Sequence, residues 1–247
     1  MPKKNVHTPC DRCPLRKRAY FRPFNADELK FIAGFKAGEL QVKQGGTVLL
    51  EGSHSAHLYT VFEGWAFRYK IMEDGRRQIL NFALPGDLIG LQAALFHEME
   101  HSVEALTPLR LCVFERERFR EIYEYHPDLA FDITWIASRE ERILDEHLLS
   151  VGRRSALERA AYLLAFLAQR AVVALPKDSD QPKLPLTQQH VADTLGLSIV
   201  HTNKTLRKLT HRKYIGWRSG YCEVFDLNGL LEAAKWDGYA SERRPLI

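Results

Sequence analysis

The chain has 247 residues, 45% of them hydrophobic and 27% charged, which is typical of a folded protein of about two domains. No apolar run approaches the ~20 residues of a membrane-spanning helix, and the four cysteines are too few and scattered for a secreted disulfide framework, so we expect a cytoplasmic protein without a membrane partner. The net charge of +4 is uneven: residues 152–247 carry 15 Lys/Arg against 9 Asp/Glu, so we expect a polyanion to meet this C-terminal part.

Two cysteines, Cys10 and Cys13, lie near the start of the chain in a Cys-x2-Cys spacing, within "HTPCDRCPLRKR". A third, Cys112, lies in the strand-like stretch "LRLCVFE". Thiolates hold iron–sulfur clusters or zinc, and they also pair as redox disulfides. The alternative is that the three residues only pack. Their spacing alone does not show that the three form one site, and their use stays open.

Residues from about 39 to 114 predict short β-strands separated by glycines. The runs "VLLEG", "HLYTVFEGWAFRYKI", "RRQILNFAL" and "LRLCVFE" are rich in β-branched and aromatic residues. The stretch "EDGRR" places Asp-Gly between two of these runs, which indicates a β-hairpin. Several short strands with regular turns favour a sandwich, roll or barrel.

From Asp128 to about Ser150 the apolar residues recur at threes and fours, which predicts an amphipathic helix of about six turns. A helix of this length between two compact parts often pairs with its own copy, although packing against its own β-domain is the alternative. The candidate dimer contacts are Ile133, Ile136, Ile143, Leu144 and His147.

A second helix is predicted over "SALERAAYLLAFLAQRA", with Ser155 as N-cap and Glu158 three residues later. The proline-rich stretch "LPKDSDQPKLPL" then breaks the pattern. After it, Thr187 is the expected N-cap of a short helix, and Gly196 lies where a turn needs positive φ. Ser198 is expected to cap the next helix, so the whole segment predicts a helix-turn-helix.

The second helix of this motif is expected to bury Thr202, Leu206 and Leu209 and to expose its cations. From Lys204 to Arg218 there are six Lys or Arg residues and no Asp or Glu, which favours a DNA-facing surface over an ordinary solvated one. The stretch "YIGWRSGYCEVFD" then predicts a β-hairpin wing, in which Cys222 is structural. The candidate DNA contacts are Thr187, Gln188, Gln189, Ser198, Ile199, Val200, His201, Asn203, Lys204, Arg207 and Lys208.

The order of these elements resembles the Crp/Fnr family of transcription factors. Glycines at Gly45, Gly52, Gly64, Gly75, Gly86 and Gly90, with "DGRRQIL", "PGDLIG" and "LTQQHVADTLGLS", carry the resemblance. It implies an α+β fold: an N-terminal segment and antiparallel β-roll (1–127), a dimerisation helix (128–151) and a winged helix-turn-helix (152–247). It further implies a homodimer on a near-palindromic site in double-stranded DNA, and RNA polymerase as partner of an activator.

The sequence departs from the cyclic-AMP-binding members of that family. Those members place a Gly-Glu pair and an Arg-Ser pair on the ribose and phosphate, and these align here with Gly90-Leu91 and His101-Ser102. Leucine offers no carboxylate, and a mostly neutral histidine lacks the bidentate arginine fork. We therefore expect no cyclic nucleotide as cofactor.

The recognition helix departs from the pattern too. "SIVHTNK" lacks the glutamate that better-known relatives use to read their half-site, so we expect a different operator. Asn203 or His201 is the candidate reader of adenine or guanine edges.

The cysteines resemble the oxygen-sensing branch of the family in three of four positions. Cys10, Cys13 and Cys112 match, whereas Ala19 stands in the remaining place. The resemblance implies a cluster only if another group, such as His7 or Asp11, completes the ligand set. The signal could thus be redox state or oxygen, sensed by an iron–sulfur cluster or by thiols.

A cupin-like metalloenzyme is the competing class, because "GSHSAHLYTVFEG" holds His54, His57 and Glu63. The two histidines are three residues apart in a predicted turn, so strand geometry would not bring them to one metal. We therefore expect no enzymatic activity.

Overall fold

The computed structural model describes residues 7–174, 183–218, 220–240 and 243–247. The strands are β1 (Lys36–Val42), β2 (Thr47–Leu49), β3 (His57–Glu63), β4 (Ala66–Ile71), β5 (Arg77–Ala83), β6 (Leu88–Ile89), β7 (Ser102–Ala105), β8 (Leu109–Glu115), β9 (Lys183–Leu184), β10 (Ile215–Arg218) and β11 (Tyr221–Val224). The α-helices are α1 (Ala26–Phe35), α2 (Leu91–Phe96), α3 (Phe119–Tyr125), α4 (Pro127–Arg153), α5 (Ala156–Ala174), α6 (Gln188–Leu195), α7 (Ile199–His211) and α8 (Leu227–Ala234).

These elements form two compact units. The first, here the sensor unit, contains residues 7–66, 85–139 and 243–247. The second, here the DNA unit, contains residues 67–84 and the described part of 140–240. The hairpin of β4 and β5 groups with the DNA unit because its side chains bond to α6: Arg77 pairs with Asp193 at 2.8 Å, and the Gln78 amide donates to the Thr194 carbonyl at 2.9 Å.

The sensor unit is built on an antiparallel sheet in the order β1-β8-β3-β6. Leu58 and Phe114 lie opposite each other on β3 and β8, and both side chains are buried. They share a core with Phe35 of α1, Ile122 of α3 and Ile133 of α4. Alternation of side chains along the strands thus gives one face of the sheet to a layer of helices.

The end of the chain belongs to the sensor unit as well. The Arg244 backbone bridges to Phe21, and its guanidinium pairs with Asp87 at 2.6 Å. The side chain of Ile247 joins the core, and its carbonyl accepts a hydrogen bond from Thr60. No local pattern in the sequence predicts this docking.

In the DNA unit, α5 is the central buried helix, and its start confirms the predicted cap. The Ser155 backbone N–H donates to Glu158 at 2.7 Å, and the Glu158 N–H donates to the Ser155 hydroxyl at 3.4 Å. Strands β9, β11 and β10 form a small antiparallel sheet. The sequence predicted a proline-rich break after α5; residues 175–182 of that stretch lie outside the described residues.

The predicted α+β class is confirmed: antiparallel strands are followed by a long helix and a C-terminal helix-turn-helix with a β-wing. Across the described ranges, no helix has the length and apolar content to span a bilayer.

Candidate nucleic-acid interface

Helix α6 begins at the residue that the sequence predicted. The Thr187 hydroxyl accepts from the His190 backbone N–H at 3.2 Å, and the His190 ring nitrogen accepts from the Thr187 N–H at 3.2 Å. This reciprocal cap satisfies two backbone donors that the first turn leaves free. Val191 and Leu195 are buried on the inner face, as predicted.

The turn between α6 and α7 depends on Gly196, which has φ 64° and ψ 34° in the left-handed region. A side chain is disfavoured in that conformation, so glycine fits there. Ser198 then caps α7, since its hydroxyl accepts from the His201 N–H at 3.2 Å. The predicted helix-turn-helix is therefore formed by the residues that carried the prediction.

Helix α7 buries one face and exposes the other. Thr202, Leu206 and Leu209 are buried as predicted, and Thr205, which the prediction missed, is buried with them. Val200 is 76% exposed. The exposed candidates are Thr187, Gln189, Ser198, Ile199, Val200, His201, Lys204, Arg207 and Lys208.

Two candidates are less accessible. Gln188 and Asn203 are half-buried. The Asn203 amide oxygen is buried and has no hydrogen-bond partner within the described parts of the chain. A buried acceptor without a partner costs stability, and this oxygen has almost no surface open to another molecule.

The exposed cations form a positively charged strip along α7 and the two residues that follow it. Among the residues that the structure describes, Lys204, Arg207, Lys208, Arg212 and Lys213 form no ion pair. Arg218 differs, because it pairs with Glu223 across the wing at 2.9 Å. The free cations are available to phosphates, whereas Arg218 is partly neutralised.

The wing follows as predicted. Trp217 lies opposite Cys222 in the β10–β11 hairpin, and Cys222 also lies opposite Leu184 of β9. Cys222 is fully buried, and burial raises the pKa of its thiol to about 12. A neutral thiol in the middle strand fits the structural role expected for it.

Comparisons with known proteins agree with this geometry. Residues 39–126 match the cyclic nucleotide-binding domain, and residues 158–233 match the Crp-like helix-turn-helix domain. The chain is 34% identical to the nitrogen fixation regulation protein FixK of Bradyrhizobium diazoefficiens, over 88% of this chain and 90% of that protein. The chain belongs to the Crp/Fnr family. It is a DNA-binding transcription regulator, which confirms the resemblance.

Other members of the family are similar over comparable lengths. Transcriptional activator protein FnrL of Cereibacter sphaeroides is 30% identical over 91% of each chain. The solved structure of FixK2 from Bradyrhizobium japonicum shares the fold with a TM-score of 0.70, at 23% identity, over 79% of this chain and 96% of that one.

At the positions that align with the cyclic-AMP-binding residues of some Crp/Fnr members, this chain has residues that pack or hydrogen-bond within the protein. Gly90, at φ 93°, precedes the first turn of α2, and Leu91 begins that helix. His101 is buried, and the Ser102 hydroxyl accepts from the Glu51 backbone N–H at 3.0 Å. These positions thus offer neither the carboxylate nor the guanidinium of the nucleotide-binding members.

The three family-like cysteines lie close together in the sensor unit. Cys10 and Cys112 pack against one buried cluster, and Cys13 and Cys112 against another. Burial raises the pKa of Cys10 and raises that of Cys112 to about 12. Both thiols are therefore neutral at pH 7, which disfavours their attack on oxidants.

The surroundings of the cysteines hold no complete set of cluster ligands within the described residues. Lys36 is buried beside them, donating to the Thr8 carbonyl at 2.9 Å and to Glu39 at 2.7 Å. Ala19, at the fourth family position, is exposed. Within the described ranges, no three His, Cys, Asp or Glu residues come together as a metal site. His7 and Asp11 line a shallow pocket with Cys10 without completing such a set.

The residues proposed for dimerisation need a correction. Ile133, Ile136 and Ile143 are only 1%, 7% and 1% exposed within a single chain, so they cannot reach a second copy. Ile133 and Ile136 belong to the sensor-unit core because α4 packs on α1 and α3 there. The helical period is as predicted, but these three isoleucines are covered by their own chain.

His147 also points inward. Its Nδ1 lies 2.7 Å from the Tyr162 hydroxyl, and burial lowers the pKa of the imidazole to about 4. Leu144, in contrast, is 41% exposed. Leu148 and Val151, which continue its face at spacings of four and three, are 73% and 39% exposed. The apolar strip left open on α4 in the DNA unit is therefore Leu144, Leu148 and Val151.

The cupin-like residues do not converge. His54 lies at the surface 3.7 Å from Glu98, whereas Glu63 pairs with Arg110 at 3.1 Å. The Crp/Fnr family is a class of transcription regulators and not a class of enzymes.

Proposed function

We propose that the chain acts as a homodimer that binds a near-palindromic operator, with α7 of each copy in the major groove. The main support for this proposal is that α7 exposes cations that form no ion pairs within the described residues, on a helix-turn-helix whose two helices are both capped at their starts. A recognition helix enters the groove by its N-terminal end, so Val200, His201 and Asn203 would lie nearest the bases. Arg207 and Lys208 lie further along and would hold phosphates.

The homodimer is supported by the open strip on α4. Leu144, Leu148 and Val151 repeat as the a and d positions of a coiled coil, and water would otherwise cover them. A two-fold dimer places its recognition helices about one helical turn of DNA apart. We expect half-sites at that spacing.

We propose that binding activates transcription at the promoter. The proposed location is the cytoplasm. FnrL is named a transcriptional activator, and it is similar over nearly the whole chain. An activator of this kind would contact RNA polymerase.

The signal, in this proposal, is not a cyclic nucleotide, since Leu91 and His101 replace the groups that would hold ribose and phosphate. Ala19 in the fourth family position, and the lack of a three-ligand group within the described residues, argue against a cluster at Cys10, Cys13 and Cys112. We assign these cysteines to packing.

The experiment is selection of DNA from a random duplex pool by the full chain. We expect an enriched palindrome with half-sites about one turn apart. Lys204→Glu should abolish enrichment, whereas Lys17→Glu, the same charge change at an exposed site in the sensor unit, should not. Failure to enrich any sequence, or equal loss in both variants, would contradict the proposal.

A further inference from the structure

The last residues of the sequence follow the DNA unit along the chain, but they pack in the sensor unit. Residues 244–247 are all buried there, whereas Arg243 is exposed. Residues 243–247, here called the strap, lie outside the named helices and strands, so their backbone groups need partners from elsewhere in the protein.

The sensor unit offers a polar site to Arg244. The guanidinium pairs with Asp87 at 2.6 Å, donates to the Gly86 carbonyl and lies 5.3 Å from the centre of the Phe21 ring. Asp87 is 6% exposed, and the Arg139 guanidinium lies further away, 4.0 Å from the same carboxylate oxygen. A buried carboxylate is costly unless a cation pairs with it, so this site is complementary to an arginine.

The strap also fills two apolar positions. Leu246 packs with Phe21 and Phe62, and Ile247 joins the main core of the sensor unit. The Ile247 carbonyl accepts a hydrogen bond from the hydroxyl of Thr60, a residue that is only 2% exposed. With the strap removed, these apolar side chains would face water and the threonine would lose this bond.

The backbone of the strap is bonded on both sides of Arg244. Its N–H donates to the Tyr20 carbonyl at 2.9 Å, and its carbonyl accepts from the Arg22 N–H at 2.8 Å. The two bonds form the parallel bridge between Phe21 and Arg244. The sensor unit therefore matches the strap in charge, apolar contact and backbone pairing, as a peptide-binding groove matches its peptide.

We propose that the strap is a releasable connection, which restrains the DNA unit while it is docked and frees that unit when it leaves its site. A short segment held by an ion pair, apolar contacts and a few hydrogen bonds opens at a lower free energy than a whole unit unfolds. Helix α4 already runs from one unit into the other, so the docked strap is a further covalent connection between them. An added connection removes freedom that DNA binding would otherwise have to remove.

The effect on DNA rests on the proposed function, whereas the docking and its release do not. A full operator requires both copies to hold α7 at a fixed spacing, so freer DNA units bind it more weakly. A duplex with a single half-site sets no spacing, so binding to it should not depend on the strap.

The test compares two charge reversals in the full chain. Arg244→Glu places a carboxylate against Asp87, and Arg243→Glu makes the same change at the exposed neighbouring position. Native-state hydrogen exchange of the Arg22 amide reports the strap directly, because this amide donates to the Arg244 carbonyl. We expect exchange about 100-fold faster in Arg244→Glu and unchanged exchange in Arg243→Glu. Leu246→Ala is the milder release variant, in case Arg244→Glu fails to fold, and should speed exchange about 30-fold.

Two further measurements follow the DNA unit. In Arg244→Glu, ¹⁵N relaxation should give the DNA unit a shorter rotational correlation time than in the wild-type protein. Affinity for the full operator should fall about fivefold to tenfold, with half-site affinity unchanged. Arg243→Glu should match the wild-type protein in both measurements.

Three outcomes overturn the proposal. The first is wild-type exchange of the Arg22 amide in both release variants, and the second is equally fast exchange in Arg243→Glu and Arg244→Glu. The third is a released strap with an unchanged correlation time or operator affinity. If the wild-type protein does not prefer the full operator to the half-site, the proposed function is wrong instead, and the exchange and relaxation measurements then decide the role of the strap.

Discussion

Helices α4 and α7 are both amphipathic, but they differ in what covers the apolar stripe along its length. Helix α7 has one apolar face, which is buried, and its opposite face carries Lys204, Arg207 and Lys208. On α4 the stripe is buried in the chain at Ile133, whereas it is exposed about three to four turns further on at Leu144 and Leu148. A charged face identifies the solvent side by itself. An exposed apolar stretch remains only where something else covers it.

The largest expected effect comes from the buried first half of the apolar stripe on α4. Ile133→Glu would bury a carboxylate in the sensor-unit core, which we expect to cost more than ~4 kcal/mol and to unfold much of the protein. Ile133→Val is the matched control and should cost only about 1 kcal/mol. Chemical denaturation followed by circular dichroism measures both. A folded, stable but monomeric Ile133→Glu protein would place this residue in the dimer interface after all.

The exposed strip further along α4 should respond differently. Leu148→Glu is expected to leave the monomer folded, because the side chain is already exposed, and to abolish the dimer. Loss of the second half-site contact should then weaken operator binding by about 100-fold or more. Analytical ultracentrifugation and operator titration measure the two effects.

The control for that substitution is Leu149→Glu. Leu149 is 49% exposed and lies one residue further along, off the strip formed by Leu144, Leu148 and Val151. It should keep both the dimer and the operator affinity. If both variants dimerise normally, the strip is not the interface.

The same contrast explains how far sequence alone could predict the molecule. Caps and turns are local, so Thr187, Gly196 and Ser198 could be placed from their neighbours alone. The burial of α4 is not local, since an apolar period gives the same pattern for a core face and a partner face. The pairing of Arg244 with Asp87 joins residues far apart in the chain, and no periodicity indicates it.

The cysteines show a related limit. A Cys-x2-Cys spacing reports which atoms could meet, but not their protonation or their neighbours. Burial of Cys112 raises the pKa of its thiol, and the Lys36–Glu39 pair lies nearby; both features depend on the packed core.

The smallest effect separates two roles on the outer face of α7. Asn203→Ala should cost roughly 1–3 kcal/mol on the operator and leave binding to random DNA nearly unchanged, because an amide at the groove reads base edges. Lys208→Ala should weaken operator and random DNA alike and lower the salt slope by about one, because it neutralises one phosphate. Titrating both variants on both DNAs across a salt series measures the two patterns.

Since Asn203 is half-buried, the thermal stability of its variant must be measured alongside. Equal losses for Asn203→Ala on operator and random DNA, at unchanged stability, would remove it from base reading and leave Val200 and His201 as the readers.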